Sequence, residues 1–330
     1  MVRITGALIC VLAAWPNPCA ADGYEITWFG TLGAENSSCN YISDSGVVLG
    51  TTNTLMYGFA FPRAFVYRRG VITRLPSLPG DITSVANAIN ESGIAVGFCT
   101  DGFEGPPHAA MWDRDANVSP MQELPPGYGD LASANDINDV GQVILNLGGQ
   151  AYQNGAALWQ YHSYKEILPE VGHVGVGDTN EHGVIVGAVG ITYDRAFVWR
   201  SGHVTMLPSG THSSVAVAIN NTGTIVGGID DQAVIWSSNK IIEFPGSRFP
   251  YSYAIGVNDR NQVIGVTYNG VGRSEYFLWE NGIVLLLDSL IPAGSRFVEL
   301  RVSAINNAGQ MCGQGSLPDG STRGFVLTPK

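Results

Sequence analysis

Ile89-Asn90-Glu91-Ser92-Gly93-Ile94-Ala95-Val96-Gly97 is the stretch that decides the fold, because its frame, Ile-Asn-x-x-Gly-x-x-x-Gly, recurs along the chain. The frame stands unbroken again at Ile219-Asn220-Gly223-Gly227 and Ile305-Asn306-Gly309-Gly313. Degenerate copies put Ser43, Asn138, Asn180 and Asn258 at the Asn position, making seven copies. Successive copies lie about 38 to 48 residues apart, the period of a four-stranded propeller blade. Units of this size cannot bury a core singly, so the 330 residues are expected to share one assembly and not to split into two domains.

Each copy divides into four extended segments. The first ends at the Asn and is rich in small residues, as in Ser84-Val85-Ala86-Asn87-Ala88-Ile89, which suits innermost strands converging on an axis. The Asn-x-x-Gly stretch makes a hairpin: the Asn side chain bonds backbone two residues on, and Gly supplies a positive φ. In the sixth copy Asn261 replaces that Gly, the non-Gly residue most at ease there. The second strand is β-branched and is expected to stop at the second Gly; the third copy has Leu145 in that place, so its loop should leave the sheet at another angle. The third strand carries an aromatic signature, as in Ala196-Phe197-Val198-Trp199, that reads as core filling the wedge between blades and not as a sugar platform. The outermost strand ends in Leu-Pro, as at Leu75-Pro76 and Leu207-Pro208, where a missing backbone donor is tolerated.

The seventh copy stops after its third strand, at Phe325-Val326-Leu327, and a segment of the missing type stands at the other end of the chain, Glu25 to Gly33. The N-terminal strand should therefore close the ring on the C-terminal blade. The expectation is an all-β, seven-bladed β-propeller of four-stranded blades over residues 22–330; an open β-solenoid is the competing architecture.

Residues 1–21 read as a secretory signal peptide: Arg3, an apolar run from Ile4 to Trp15 too short to span a membrane, and Cys19-Ala20-Ala21 before Asp22. Export to the periplasm or the extracellular space follows, with no integral membrane segment after signal removal. Cleavage leaves Cys39, Cys99 and Cys312, an odd count that allows one disulfide at most and offers no metal-ligand spacing. A formal charge of −11, with only 14% charged residues and no basic stripe, excludes nucleic acid as the expected partner.

At these residues the chain resembles the HAF-repeat family of exported proteins. That family couples an Ala-x-x-Ile-Asn-x-x-Gly-x-Val-x-Gly half to a His-Ala-Phe-x-Trp half, which His108-Ala109-Ala110-Met111-Trp112 and Arg195-Ala196-Phe197-Val198-Trp199 approximate. Only His108 keeps the His, and Leu-Pro replaces Leu-Gly in most copies. The resemblance implies export and a repeated β architecture, and no established reaction.

Chemistry in a propeller sits in loops at one face and at the axial channel. Asp81, Asp130, His173, His212 and Tyr251 precede successive inner strands and are candidates for the channel mouth. Asp130, His173 and His212 come from consecutive blades and could form a metal or acid–base cluster; the plain alternative is solvated turn residues. Long connections between second and third strands, Thr51 to Arg63 among them, hold Tyr57, Phe103, Tyr152 and Tyr268, aromatics suited to a glycan or peptide. No nucleophile elbow, zinc-protease helix, P-loop or dinucleotide fingerprint is present. A monomeric binding or interaction module for a glycan or protein ligand is therefore the expectation, with no cofactor or metal assigned. A secreted hydrolase or lyase on polysaccharide or peptide, with its site at the channel mouth, is the alternative. A purely structural envelope component is a third possibility.

Overall fold

The computed structural model describes residues 23–330 except 57–58, 103–104, 122–130, 149–153, 169–172, 191–193, 238–239, 245–250, 269–273 and 292–294. The export-signal reading of residues 1–21 lies outside the described residues. Seven antiparallel sheets form, each of four strands in inner, second, third and outer order. The inner strands of blades 1 to 7 are Ser37–Ile42, Thr83–Ile89, Ala132–Ile137, His173–Thr179, Ser214–Ile219, Tyr251–Val257 and Glu299–Ile305.

The repeat's Asn builds each hairpin and also ties it to its neighbour. Within blade 2, Gly93 N–H donates to Asn90 O at 2.9 Å and Asn90 N–H to Ile94 O at 3.1 Å. Ile94 N–H donates to Asn90 Oδ1 at 3.0 Å. Gly93, Gly223 and Gly309 hold φ of 88°, 84° and 78°, and Asn261 holds 58° in the sixth copy. The Asn amide then donates outward. Asn90 Nδ2 reaches Asn138 O, Asn138 reaches Asn180 O, Asn180 reaches Asn220 O, Asn220 reaches Asn258 O, Asn258 reaches Asn306 O, and Asn306 reaches Ser43 O, at 2.8–3.3 Å. Six links thus run around the axis. Ser43, too short to continue, instead pairs its hydroxyl with Ser45.

The second Gly does not end its strand. Ala95–Thr100, Ile185–Gly190 and Met311–Ser316 all run through it. Every inner strand carries a register shift, between Ala86 and Ala88 in blade 2 for example. There the inner backbone presses on the second strand: a Cβ on Gly97, Gly187, Gly227 or Gly313 would lie 1.9–2.1 Å from a carbonyl oxygen of the inner strand. The third copy is no exception in path. Leu145 keeps the ladder, opposite Ala134 and Ala157, with its side chain fully buried. Nor is Thr51 to Arg63 a loop. Val48–Met56 and Phe59–Arg68 continue as a long hairpin.

The cores lie between blades. Trp112, Trp159, Trp199 and Trp236 are buried there. Trp112 Nε1 donates to Pro76 O at 2.8 Å and Trp236 Nε1 to Pro208 O at 2.9 Å, so the Leu-Pro ending of one blade anchors the Trp of the next. Ser84 Oγ accepts the N–H of Ala64 and donates to Leu75 O in the preceding blade. Ser214 and Ser252 accept from Ala196 and Ala233 in the same way.

The ring closes as expected. Tyr24–Trp28 is the outer strand of blade 7, with Ile26 opposite Leu327 and Trp28 opposite Phe325. Tyr24 and Phe29 are buried in the closing blade and the adjoining interface.

Candidate functional site

Alternation along the inner strands sets one row of side chains toward the axis. At the face of the Asn hairpins these rows enclose a chamber of about 360 Å³. Its rim is the residue after each repeat Asn: Asp44, Glu91, Asp139, Glu181, Asn221, Asp259 and Asn307. These side chains are occupied. Glu91 N–H donates to Asp139, Asp139 N–H to Glu181, Glu181 N–H to Asn221 and Asn221 N–H to Asp259. Asp259 N–H donates to Asn307, Asn307 N–H to Asp44 and Ser45 N–H to Glu91. The acidic rim is a second belt around the axis.

Deeper in the chamber stand Tyr41, Asp136 and Asp178. They occupy the position just past the register shift, where the other blades carry Ala88, Ala218, Gly256 and Ala304. The Asp136 and Asp178 carboxyls, from adjacent blades, are hydrogen-bonded to each other. Asp136 Oδ2 accepts Thr179 N–H at 3.0 Å, and Asp178 Oδ2 accepts Ile219 N–H at 2.8 Å. Burial, then the Asp136 carboxylate, pushes the Asp178 carboxyl well above the usual carboxylate range. Burial likewise raises the Tyr41 hydroxyl, reinforced by Asp136, Asp178, Asp44 and Glu181. Burial and a neighbouring carboxylate both disfavour the charged form, so the arrangement holds the Asp178 proton more tightly than an exposed carboxyl would. Sequence reasoning passed over it; the available signal was Asp in a column that is Ala or Gly in four other blades and Tyr41 in the first.

Those residues singled out from the sequence that are described lie toward the opposite mouth. Tyr251 begins its inner strand and sits opposite Tyr268 of the second strand, 46% and 39% exposed. Tyr253, two residues on and 41% exposed, joins them. Its hydroxyl donates to Asp231 Oδ1 at 2.9 Å, and its ring meets that of Tyr268 edge-on at 6.0 Å. The hydrogen bond to Asp231 comes first in raising the Tyr253 hydroxyl above its ordinary range. His173 begins its inner strand and is exposed. His212 Nδ1 lies 2.7 Å from Asp230 Oδ2, both exposed. Asp81 is drawn inward: its nearly buried carboxylate has both oxygens 3.1 Å from His108 Nδ1. Asp130 and Tyr152 lie outside the described residues, and with Asp130 so does the expected cluster of Asp130 with His173 and His212. Among the described residues no group of three His, Cys, Asp or Glu side chains is arranged to hold a metal ion. Cys39, Cys99 and Cys312 are buried free thiols, and burial raises Cys99 to about 11.

No protein-family model and no curated protein matches the chain. Solved structures do. The β-propeller domain of the Trilobed protease from Pyrococcus furiosus aligns with a TM-score of 0.62 and 9% identity, over 89% of this chain and 94% of that one. A chain of the Mitotic Checkpoint Complex aligns with a TM-score of 0.55 and 10% identity, over 100% and 99%. At such identities the likeness is one of fold. The Pyrococcus domain is described as having an open velcro topology, whereas here Tyr24–Trp28 pairs along its whole length with the C-terminal strand.

Proposed function

We propose that this propeller is an exported binding module of the HAF-repeat kind, and that a glycan docks on the tyrosine-lined mouth of blade 6. The observation that carries the reading is the group Tyr251, Tyr253 and Tyr268, each more than a third exposed on strands and not on loops. Tyrosine rings offer flat apolar faces to the C–H faces of sugars, and they lose little conformational entropy on binding. Asp231 fixes Tyr253 in place, so the surface is formed before any ligand arrives. Glu299 and Arg301, ion-paired at 3.1 Å on the inner strand of blade 7, supply hydrogen-bonding groups for hydroxyls beside the rings. Glycan-array binding of the mature chain, set against Tyr253→Ala and Tyr251→Ala, tests this. Both variants should lose about tenfold or more in affinity, the worth of one stacked ring. Absence of any glycan signal, or binding that ignores both substitutions, would refute it.

The alternative, a hydrolase or lyase of polysaccharide or peptide, draws support from the hydrogen-bonded Asp136 and Asp178 in the axial chamber, since a carboxyl whose proton is held more tightly by burial is suited to general-acid work. Two carboxyls in direct contact are closer than the pair in glycoside hydrolases, which stand about 5–9.5 Å apart. The binding reading is therefore preferred. Turnover of any polysaccharide or peptide that is abolished in Asp136→Asn would reverse that preference.

A further inference from the structure

The interface between blades 4 and 5 differs from its counterpart between blades 1 and 2 in one respect: it is open. Arg68 and Arg200 are equivalent, each following the aromatic that closes its third-strand motif, Tyr67 and Trp199. Arg68 folds across to the next blade, donating to Gly93 O at 3.1 Å and to Arg114 O at 2.9 Å. A Cβ on Gly93 would meet Arg68 Nη2 at 3.2 Å and Arg114 Cγ at 3.3 Å. The equivalent Gly223 has nothing within 4 Å. Among the described residues Arg200 has no side-chain partner and is exposed. Where Arg68 lies in the first interface, the fourth keeps a crevice of about 590 Å³.

The chemistry of that crevice is two-sided. Val184, Val198, Leu207, Ile225 and Trp236 make apolar walls, and Trp236 is fixed by its bond to Pro208 O. Arg200 and His203 stand opposite each other at the turn and form the rim, with Thr205 further along the same outer strand. A protein of net charge −11 thus presents an unpaired guanidinium and an imidazole beside an apolar cleft. The rim runs the length of an outer strand, about 13 Å for four residues, which matches an extended segment better than a compact solute.

We infer that the crevice between blades 4 and 5 docks an extended acidic segment of a partner protein, one apolar side chain entering against Trp236 and a flanking carboxylate pairing with Arg200. The apolar side chain gives the affinity, and the carboxylate selects against basic segments and fixes direction. The site is on the hairpin face, away from the tyrosine mouth, and is independent of glycan binding.

The test uses the mature chain and immobilised eight-residue peptides in four classes: acidic with apolar, basic with apolar, acidic with polar only, and neutral apolar. Arg200→Glu removes the charge partner, Thr205→Trp fills the cleft, and Arg69→Glu repeats the charge change elsewhere. Melting curves check that each variant folds, with Arg200→Ala replacing one that melts early. The acidic–apolar class alone should bind. Arg200→Glu and Thr205→Trp should each weaken it about tenfold or more, and Arg69→Glu should not. No class above background, or binding indifferent to both crevice variants, overturns the inference. Displacement of the peptide by laurate at equal or lower concentration also overturns it, in favour of a small amphipathic acid.

Discussion

Asn306 Nδ2 donates to Ser43 O at 2.9 Å, joining residues 263 apart and carrying the inner belt across the same seam that Tyr24–Trp28 closes at the outer edge. With the Asn307 to Asp44 contact of the second belt, these devices hold blade 7 to blade 1. Asn306→Ala removes the inter-blade donor and also the acceptor for Ala308 and Gln310 N–H. Asn306→Ser should be milder, because Ser43 shows that a hydroxyl still accepts from its own hairpin, at Val47 N–H. With the groups buried, the Ala variant should lose about 1–3 kcal/mol and the Ser variant less, by urea denaturation.

Deletion of residues 24 to 33 should cost more than either. It strips a complete strand from the closing blade along with the buried Tyr24 and Phe29, each side chain worth about 1.5–3 kcal/mol. An unchanged cooperative melting transition would contradict the seam.

The two glycines of the repeat fail for different reasons when replaced. Gly223 is held at φ 84° with open space around it, so Gly223→Val carries backbone strain of about 1–3 kcal/mol. Gly227 has no positive φ, but a Cβ there would lie 2.0 Å from Val215 O and 3.0 Å from an atom of the Trp236 ring. Gly227→Ala should therefore be more damaging than the same change at Gly223, with the lower melting temperature. Equal melting temperatures would mean that the inner strand yields as it does around Leu145.

What was legible in the sequence was what repeats. Seven hairpins, the buried Trp column and the out-of-phase termini fix blade number, core and seam, because each is imposed on every blade by the same packing. The second Gly was misread as a strand end, since a clash with a bulged neighbour leaves no mark on its own strand. Thr51 to Arg63 passed for a loop because its strand extension has no counterpart elsewhere. Asp136 and Asp178 depart from the repeat at one column of two blades, and only their shared wall of the chamber makes a pair of them. The vacancy beside Arg200 is likewise invisible in sequence: Arg68 is the same residue at the same place, pointed differently.

Asp178 predicts how stability depends on pH. Its folded pKa is raised above the unfolded value of about 3.9. The stability that the protonated carboxyl contributes is full below that unfolded value and is lost as pH rises through the folded one. Asp178→Asn keeps a neutral group and an acceptor while removing the titration, at a pH-independent cost of about 1 kcal/mol for one weakened backbone contact. The difference in urea midpoint between the native chain and this variant should therefore shift in the variant's favour as pH rises from about 4. A difference that stays flat from acid to alkaline pH would show that Asp178 titrates normally.

Ser84 isolates the contacts that stitch blade to blade away from the axis. Its hydroxyl accepts Ala64 N–H at 3.0 Å and donates to Leu75 O at 2.9 Å, and the side chain is fully buried. Ser84→Ala strands a donor and an acceptor of the neighbouring blade without water to replace them, each costing about 1–3 kcal/mol. Ser84→Cys retains a weaker donor and acceptor and should fall between. The decisive readout is local. Hydrogen exchange at the Ala64 amide should accelerate more in the Ala variant than exchange at Ala196, whose equivalent bond to Ser214 is untouched. Equal acceleration at both would show that the interfaces loosen as one ring, not blade by blade.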